Sequence, residues 1–459
     1  MRASALLPLL LPALGLAAQE PGAPPPNLVL FLVDDLGWNG AGFAGSRVFE
    51  TPHMDRVARE GMVFPEAYSN GPNCAPSRAC ILSGQYPPRH GIYTVQTSVR
   101  GRREDRKLVP VETQTVLPDS VVTVAEALQT GGYATGYVGK WHLGPDPRSQ
   151  GFDENLAGSK RGHPRSYFSP WGMRDLEDGP EGEYLTDRLG REAAAFVRRH
   201  RDEPFFLMFA PYAVHTPIQA PEERVARFRG RLPESGQDNA TYAAMVQAVD
   251  DALGVLLLAL EEEGLAERTV VVVTSDNGGH GPVADLRPLR GSKGMLYEGG
   301  IRVPFAVRWP GVVKEGSRAP SPVMGADLYP TFLEIAGLPL PEGQPVDGRS
   351  VVRMLREGRP LARDLFWHFP AYLEASQPEV QGTWRATPCS VIRSGHWKLL
   401  EFFEDGRLEL YDLEADPGET RDRSSEEPER TRELHARLRA WREAVRAPVP
   451  TEPNPFWRP

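Results

Sequence analysis

Three short stretches of uninterrupted apolar residues set the tightest limit on how this chain can fold. They are Asn27-Leu28-Val29-Leu30-Phe31-Leu32-Val33, Pro204-Phe205-Phe206-Leu207-Met208-Phe209-Ala210 and Thr269-Val270-Val271-Val272-Val273-Thr274-Ser275. A strand with one wet face alternates polar and apolar residues. A run that does not alternate, and is rich in β-branched and aromatic side chains, fits a parallel sheet covered on both faces. Helical patterns lie between the runs, over Val124 to Thr130 and Tyr242 to Glu262; the second aligns Met245, Val249, Leu253, Leu256 and Leu257 on one face. Strands alternating with helices predict an α/β fold, a large and mostly parallel sheet sandwiched by helices. With 459 residues the chain is long enough for that core and for a second unit.

Each apolar run is followed closely by polar residues: Asp34 and Asp35, then His215, then Asp276 and Asn277. Ligands in open α/β sheets bind beyond the carboxyl ends of the strands. One such residue is an ordinary turn former, but three sets at one edge point to a shared pocket. Three carboxylates brought together repel one another, and a hard, oxygen-seeking cation relieves that repulsion; calcium is expected, with magnesium as the alternative. No His/Cys cluster has zinc spacing.

The donors follow a second pattern. Six of the 52 basic residues are lysines, and two of them lie in glycine-flanked segments, Gly139-Lys140-Trp141-His142-Leu143-Gly144 and Gly291-Ser292-Lys293-Gly294. A lysine presents a compact point charge suited to an oxyanion. With His142 and His215, these lysines describe a pocket for a tetrahedral oxyanion beside a metal. His280, just past Asn277-Gly278-Gly279, is expected to line it. The net charge of -9 gives no global attraction for nucleic acid, so an anionic ligand needs a local basic pocket. Cys74, Cys80 and Cys389 are too few to staple an exported chain of this length.

The chain ends carry further expectations. Residues 1–18 read as a cleavable signal peptide, with an uncleaved anchor as the alternative, and residues 19–26 as a Pro-rich leader. No later segment is expected to cross a membrane, and the signal peptide places the protein outside the cytoplasm, secreted or periplasmic. Residues 27–336 are expected to form the main domain, 337–349 a connection, and 350–459 a smaller C-terminal subdomain. In that subdomain Ser390–Arg393, Trp397–Phe402 and Arg407–Tyr411 read as antiparallel strands, with Asp405-Gly406 as a hairpin turn. A terminal helix from about Pro428 places Leu434, Leu438, Trp441 and Val445 on one face.

One motif is more specific than any of these. Cys74-Ala75-Pro76-Ser77-Arg78, followed by Leu82-Ser83-Gly84, resembles the signature of type I sulfatases, members of the alkaline-phosphatase-like superfamily. Asp34-Asp35-Leu36-Gly37, Thr51-Pro52-His53-Met54-Asp55, Gly139-Lys140-Trp141-His142, His215-Thr216-Pro217, Ser275-Asp276-Asn277-Gly278 and Glu298-Gly299-Gly300-Ile301-Arg302 are similar to that family's supporting motifs.

The resemblance implies oxidation of Cys74 to formylglycine by a maturation enzyme, with Arg78 steadying the hydrated aldehyde. It implies calcium held by Asp34, Asp35, Asp276, Asn277 and the modified Cys74. Lys140, His215 and Lys293 would neutralise a sulfate, and His142 would assist the diol. The implied activity is hydrolysis of sulfate esters on a sulfated carbohydrate or aryl sulfate. A saccharide is expected, because Leu365–Phe369 and Glu401–Gly406 resemble segments of bacterial polysaccharide-active sulfatases; their aromatic residues either face sugar or pack the domain junction. A formylglycine-dependent phosphonate or phosphate-ester hydrolase is the rival reading, and an inactive sulfated-glycan-binding protein is another.

Overall fold

The structure, a computed structural model, describes residues 25–231, 238–375 and 382–458. The expected signal peptide, and the leader through residue 24, lie outside the described residues.

An eight-stranded mixed sheet forms the centre. Its order is Ser317–Arg318, Met62–Val63, Phe305–Arg308, Thr269–Ser275, Asn27–Val33, Phe205–Ala210, Ala134–Gly139 and Glu154–Leu156. The last five strands in that order run parallel. Phe305–Arg308 turns antiparallel against Thr269–Ser275. The three apolar runs are therefore adjacent, with Asn27–Val33 between the other two. Alternate residues of that middle strand enter opposite cores: Val29, Phe31 and Val33 on one face, Leu28, Leu30 and Leu32 on the other. This is why the run shows no alternation: both of its faces are dry.

Helices Pro52–Arg59, Leu185–Arg199 and Ala240–Glu262 cover the first face. Cys74–Ser83, Val124–Gln129 and Leu328–Ala336 cover the second, joined by Val352–Glu357 from just past the Pro-rich connection. Ala240–Glu262 corrects one expectation. By length and composition alone it could cross a membrane, yet 78% of its most apolar stretch is buried inside the fold. Packing against the sheet accounts for its apolar character.

A four-stranded antiparallel sheet follows, in the order Asp364–Phe369, Cys389–Ser394, Trp397–Phe402, Leu408–Asp412. Helix Pro428–Val445 packs on it through Leu434 and Leu438, while the half-buried Trp441 stacks on Phe366. Leu365, Trp367 and Phe369 are fully buried, and the Trp367 indole donates to the Ser69 carbonyl at 2.7 Å. The aromatic segment Leu365–Phe369 is thus largely core at the junction and offers no sugar platform.

Charge is buried at the same junction. Lys398 lies 3.0 Å from Glu298 and 2.8 Å from Glu419, all three shielded from solvent. Burial pushes the Glu419 carboxyl up to about 7, while Lys398 and nearby arginines hold Glu298 low. Lys398→Met leaves two buried carboxylates without their shared cation and should cost about 3–5 kcal/mol in urea unfolding. The folded state binds more protons than the unfolded one between the ordinary carboxylate range and about pH 7, so this contribution to stability falls as pH rises through that window. Glu419→Gln should flatten the decline, read as a smaller loss of unfolding free energy from pH 5 to pH 8.

Candidate active site

The carboxyl edge of the five parallel strands gathers the expected residues. Asp34 and Asp35 follow Asn27–Val33, Asp276 and Asn277 follow Thr269–Ser275, and Lys140 follows Ala134–Gly139. Gly139 is required just before Lys140: its φ is +111°, and a Cβ there would stand 2.0 Å from the Ala210 carbonyl oxygen. Cys74 begins the helix Cys74–Ser83, whose ten residues are all buried. A Cys74 Sγ and oxygens of Asp34 and Asp276 lie within 4.8 Å of one another; a second such group joins Cys74, Asp35 and His215.

Every carboxylate has a cation against it. Lys140 Nζ is 2.6 Å from Asp34 Oδ2, and Lys293 Nζ is 2.8 Å from Asp35 Oδ2. Arg78 Nη2 is 2.8 Å from Asp276 Oδ2. Arg78 also donates to the Lys140 carbonyl and lies 3.4 Å from the Tyr137 hydroxyl. The hydrogen bonds of Arg78 therefore run to Asp276, Lys140 and Tyr137, and it acts on Cys74 through its charge. Asn277 donates from Nδ2 to Asp35 Oδ1 at 2.8 Å, which leaves its own carbonyl oxygen free.

Two oxygens in this cluster, Asp34 Oδ1 and Asn277 Oδ1, are buried and have no hydrogen-bond partner. A buried acceptor without a partner is costly, and two beside three carboxylates match the donors of a hard divalent cation. The residues present fit such an ion. Burial pushes the Asp34 carboxyl up to about 8 despite Lys140, and a cation on its free oxygen would restore the carboxylate. Lys293 foremost, helped by Lys140, holds Asp35 well below the usual range against its burial.

Cys74 is not a ready nucleophile as a thiol. Burial, aided by Asp34 and Asp276, pushes it up to about 11 against the pull of Lys140 and Lys293. A neutral buried thiol is inert. Burial and neighbouring cations hold His142 and His215 well below the usual histidine range, so both are neutral at pH 7. His142 Nδ1 has no partner, and His215 Nε2 is 3.7 Å from Asp35.

These groups open into a cavity of about 660 Å³ lined by Cys74, His142, His215 and Lys293, within the ~300–1,000 Å³ of small-molecule sites. His280 stays outside that lining, although it feels the charges of Asp35 and Lys293. Lys160, Arg161, His163 and Arg165 reach the cavity and were not expected there. The His163 ring lies parallel to His215, with 5.9 Å between centroids. The signal was visible as a basic Gly/Pro-containing segment in an acidic chain, but such loops are usually only solvated. Cys80 stands apart, buried with its Sγ 3.4 Å from His90 Nε2.

Comparison with known proteins agrees with this geometry. The profile of the family described as "Sulfatase" matches residues 26–338, and that described as "N-sulphoglucosamine sulphohydrolase, C-terminal" matches residues 292–444. A curated sulfatase of Formosa agariphila is 32% identical, over 91% of this chain and 88% of that protein. The N-acetylgalactosamine-6-sulfatase of Rattus norvegicus is 35% identical, over 80% of this chain and 72% of that one. The crystal structure of Ps i-CgsB in complex with k-i-k-neocarrahexaose superposes with a TM-score of 0.75 at 31% identity, covering 91% of this chain and 92% of that one.

Proposed function

The chain belongs to the sulfatase family and is a sulfuric ester hydrolase, and from that premise we propose that it removes sulfate from a sulfated saccharide outside the cytoplasm, using formylglycine made from Cys74 and a calcium ion held by Asp34, Asp35, Asp276 and Asn277. The observation that carries this reading is the pair of unpartnered buried oxygens, Asp34 Oδ1 and Asn277 Oδ1, beside Cys74. Magnesium is the less favoured ion, because it demands a stricter octahedral shell and keeps more of its water.

When present, the hydrated aldehyde and the cation supply an oxygen nucleophile and a Lewis acid for sulfate oxygens. The protein's own residues do the rest. Lys140 and Lys293 bring two positive charges to the edge where the sulfate must lie, and stabilise negative charge as it shifts among the oxygens. The His215 Nδ1 donates to the Thr216 carbonyl at 3.0 Å, so its Nε2 accepts in the neutral ring and would donate to a sulfate oxygen only after taking up a proton. His142, also neutral, has an unpartnered Nδ1 able to take or return a proton. Arg78 pairs with Asp276 and ties it to the backbone of Lys140. Burial of the signature helix keeps bulk water from the Cys74 side chain.

Support for a saccharide comes from relatives at 31–35% identity, an N-acetylgalactosamine-6-sulfatase and a protein solved in complex with k-i-k-neocarrahexaose, beside which stands a steryl-sulfatase at 31%. Export rests on the leader pattern of residues 1–18 alone. Burial of the whole signature helix supports maturation before the chain folds. The test combines mass spectrometry of the Cys74 peptide, after co-expression with a maturation enzyme, with sulfate release from 4-nitrophenyl sulfate and sulfated disaccharides. A fully converted protein that cleaves only phenylphosphonate esters would overturn the sulfate assignment, and an unmodified thiol in an active protein would overturn the nucleophile.

A further inference from the structure

The cavity carries more positive charge than one sulfate group uses. Among the described residues that line it there is no Asp or Glu, although the chain as a whole has 61 acidic residues against 52 basic ones. Lys140 supports its floor, and Lys160 and Lys293 line it, so three of the six lysines meet at one site in a chain that otherwise uses arginine. The lysines fall into two sets. Lys140 and Lys293 are buried on Asp34 and Asp35. Lys160 and Arg165, by contrast, are exposed, and neither forms an ion pair among the described residues.

The segment bearing this second set is held in place. Arg161 donates to the Gly172 carbonyl at 2.9 Å, and His163 lies parallel to the His215 ring. Gly162 is backed against the His142 ring, 2.6 Å from where a Cβ would be. The loop therefore has fixed contacts with two residues of the reacting centre while its charges point into the mouth. An exposed basic loop is ordinarily a solvated surface. One fixed over an opening without acidic neighbours focuses the field on what enters.

We propose that Lys160 and Arg165 form a subsite for a second anionic group on the same saccharide, a sulfate or a carboxylate on the sugar or its neighbour, so that the preferred substrate carries at least two negative charges. This rests on the sulfatase reading of the floor of the cavity. The apolar wall of Val95, Val116 and Pro145 would face the sugar between the two anionic ends. The volume of about 660 Å³, on the order of twenty times a water molecule's share of the liquid, leaves ample room beyond the sulfate itself.

Binding separates the two readings. Calcium-loaded protein carrying Cys74→Ala, which cannot turn over, is titrated calorimetrically with inorganic sulfate, sucrose octasulfate and trigalacturonate. The parent should bind at least one of the two polyanions about tenfold or more tightly than inorganic sulfate. Lys160→Ala with Arg165→Ala should remove most of that margin, while Lys314→Ala with Arg201→Ala, exposed elsewhere, should keep it. The margin for octasulfate over trigalacturonate then tells whether the subsite takes sulfate or carboxylate. A margin unchanged within twofold in the Lys160/Arg165 variant, or lost equally in the control, overturns the subsite. Failure of the parent to bind inorganic sulfate at all counts instead against the reading of the floor.

Discussion

Cys74→Ala is expected to lower sulfate release by at least about 10⁴-fold, since on the proposed mechanism it removes the side chain from which the nucleophile would be made. The folded protein should lose only about 1 kcal/mol or less, because one sulfur is withdrawn from a site next to a cavity and no ion pair is broken. The comparison that gives this result meaning is Cys80→Ala. Cys80 is equally buried and lies six positions along the same helix, but its contact is the His90 ring and it does not line the cavity. Its loss should cost about 1–2 kcal/mol of packing and leave turnover of the surviving fold nearly intact. A thiol held up at about 11 cannot itself attack, so activity should also track the converted fraction of Cys74 measured by mass spectrometry. Full activity in unconverted protein, or an equal loss in the folded Cys80 variant, would contradict the division between the two cysteines.

Much of this arrangement was written in the chain where residues obey local rules. The runs Asn27–Val33 and Thr269–Ser275 became strands with those same bounds, because continuous β-branched sequence has only the two-faced sheet in which to hide. Asp34, Asp276 and Asn277 were legible as a cluster because parallel strands must end at one edge. Residues placed by long-range packing were less legible. The antiparallel strand Phe305–Arg308 and the short edge strands carry little pattern of their own, so the mixed character of the sheet did not show. Leu365–Phe369 read equally as sugar platform or core, and only the neighbouring Tyr68 and Ser69 decide for core. Lys160 and Arg165 had no signal beyond charge, since their position depends on how the segment after Glu154–Leu156 folds back over His142 and His215.

Removal of divalent cations should have the second large effect, at least about 10³-fold on sulfate release, corresponding to several kcal/mol of lost charge stabilisation. The structure also predicts how that loss divides. Asp34, Asp35 and Asp276 stand against Lys140, Lys293 and Arg78, so the cluster balances its own charge once Asp34, pushed up to about 8, has given up its proton. In that arrangement Lys140 and Lys293 are spent on Asp34 and Asp35 and have little field left for an anion. With a divalent ion held at the free oxygens of Asp34 and Asn277, the pull of those carboxylates on Lys140 and Lys293 would weaken, and the ammonium groups would be left freer to face the cavity. Calcium and sulfate binding should therefore reinforce each other. Calorimetry on chelated and calcium-loaded protein should show sulfate bound about ten- to a hundredfold more tightly with calcium, and reciprocity requires sulfate to tighten calcium by the same factor. Calcium at a hundred times its dissociation constant should also stabilise the fold by about 2.7 kcal/mol, and Asn277→Leu, which removes an oxygen and the amide's hydrogen bond to Asp35 but no ion pair, should reduce both effects. Equal sulfate affinity in the chelated and loaded forms would mean that Lys140 and Lys293 serve the substrate without help from the ion, and would separate the metal site from the anion site.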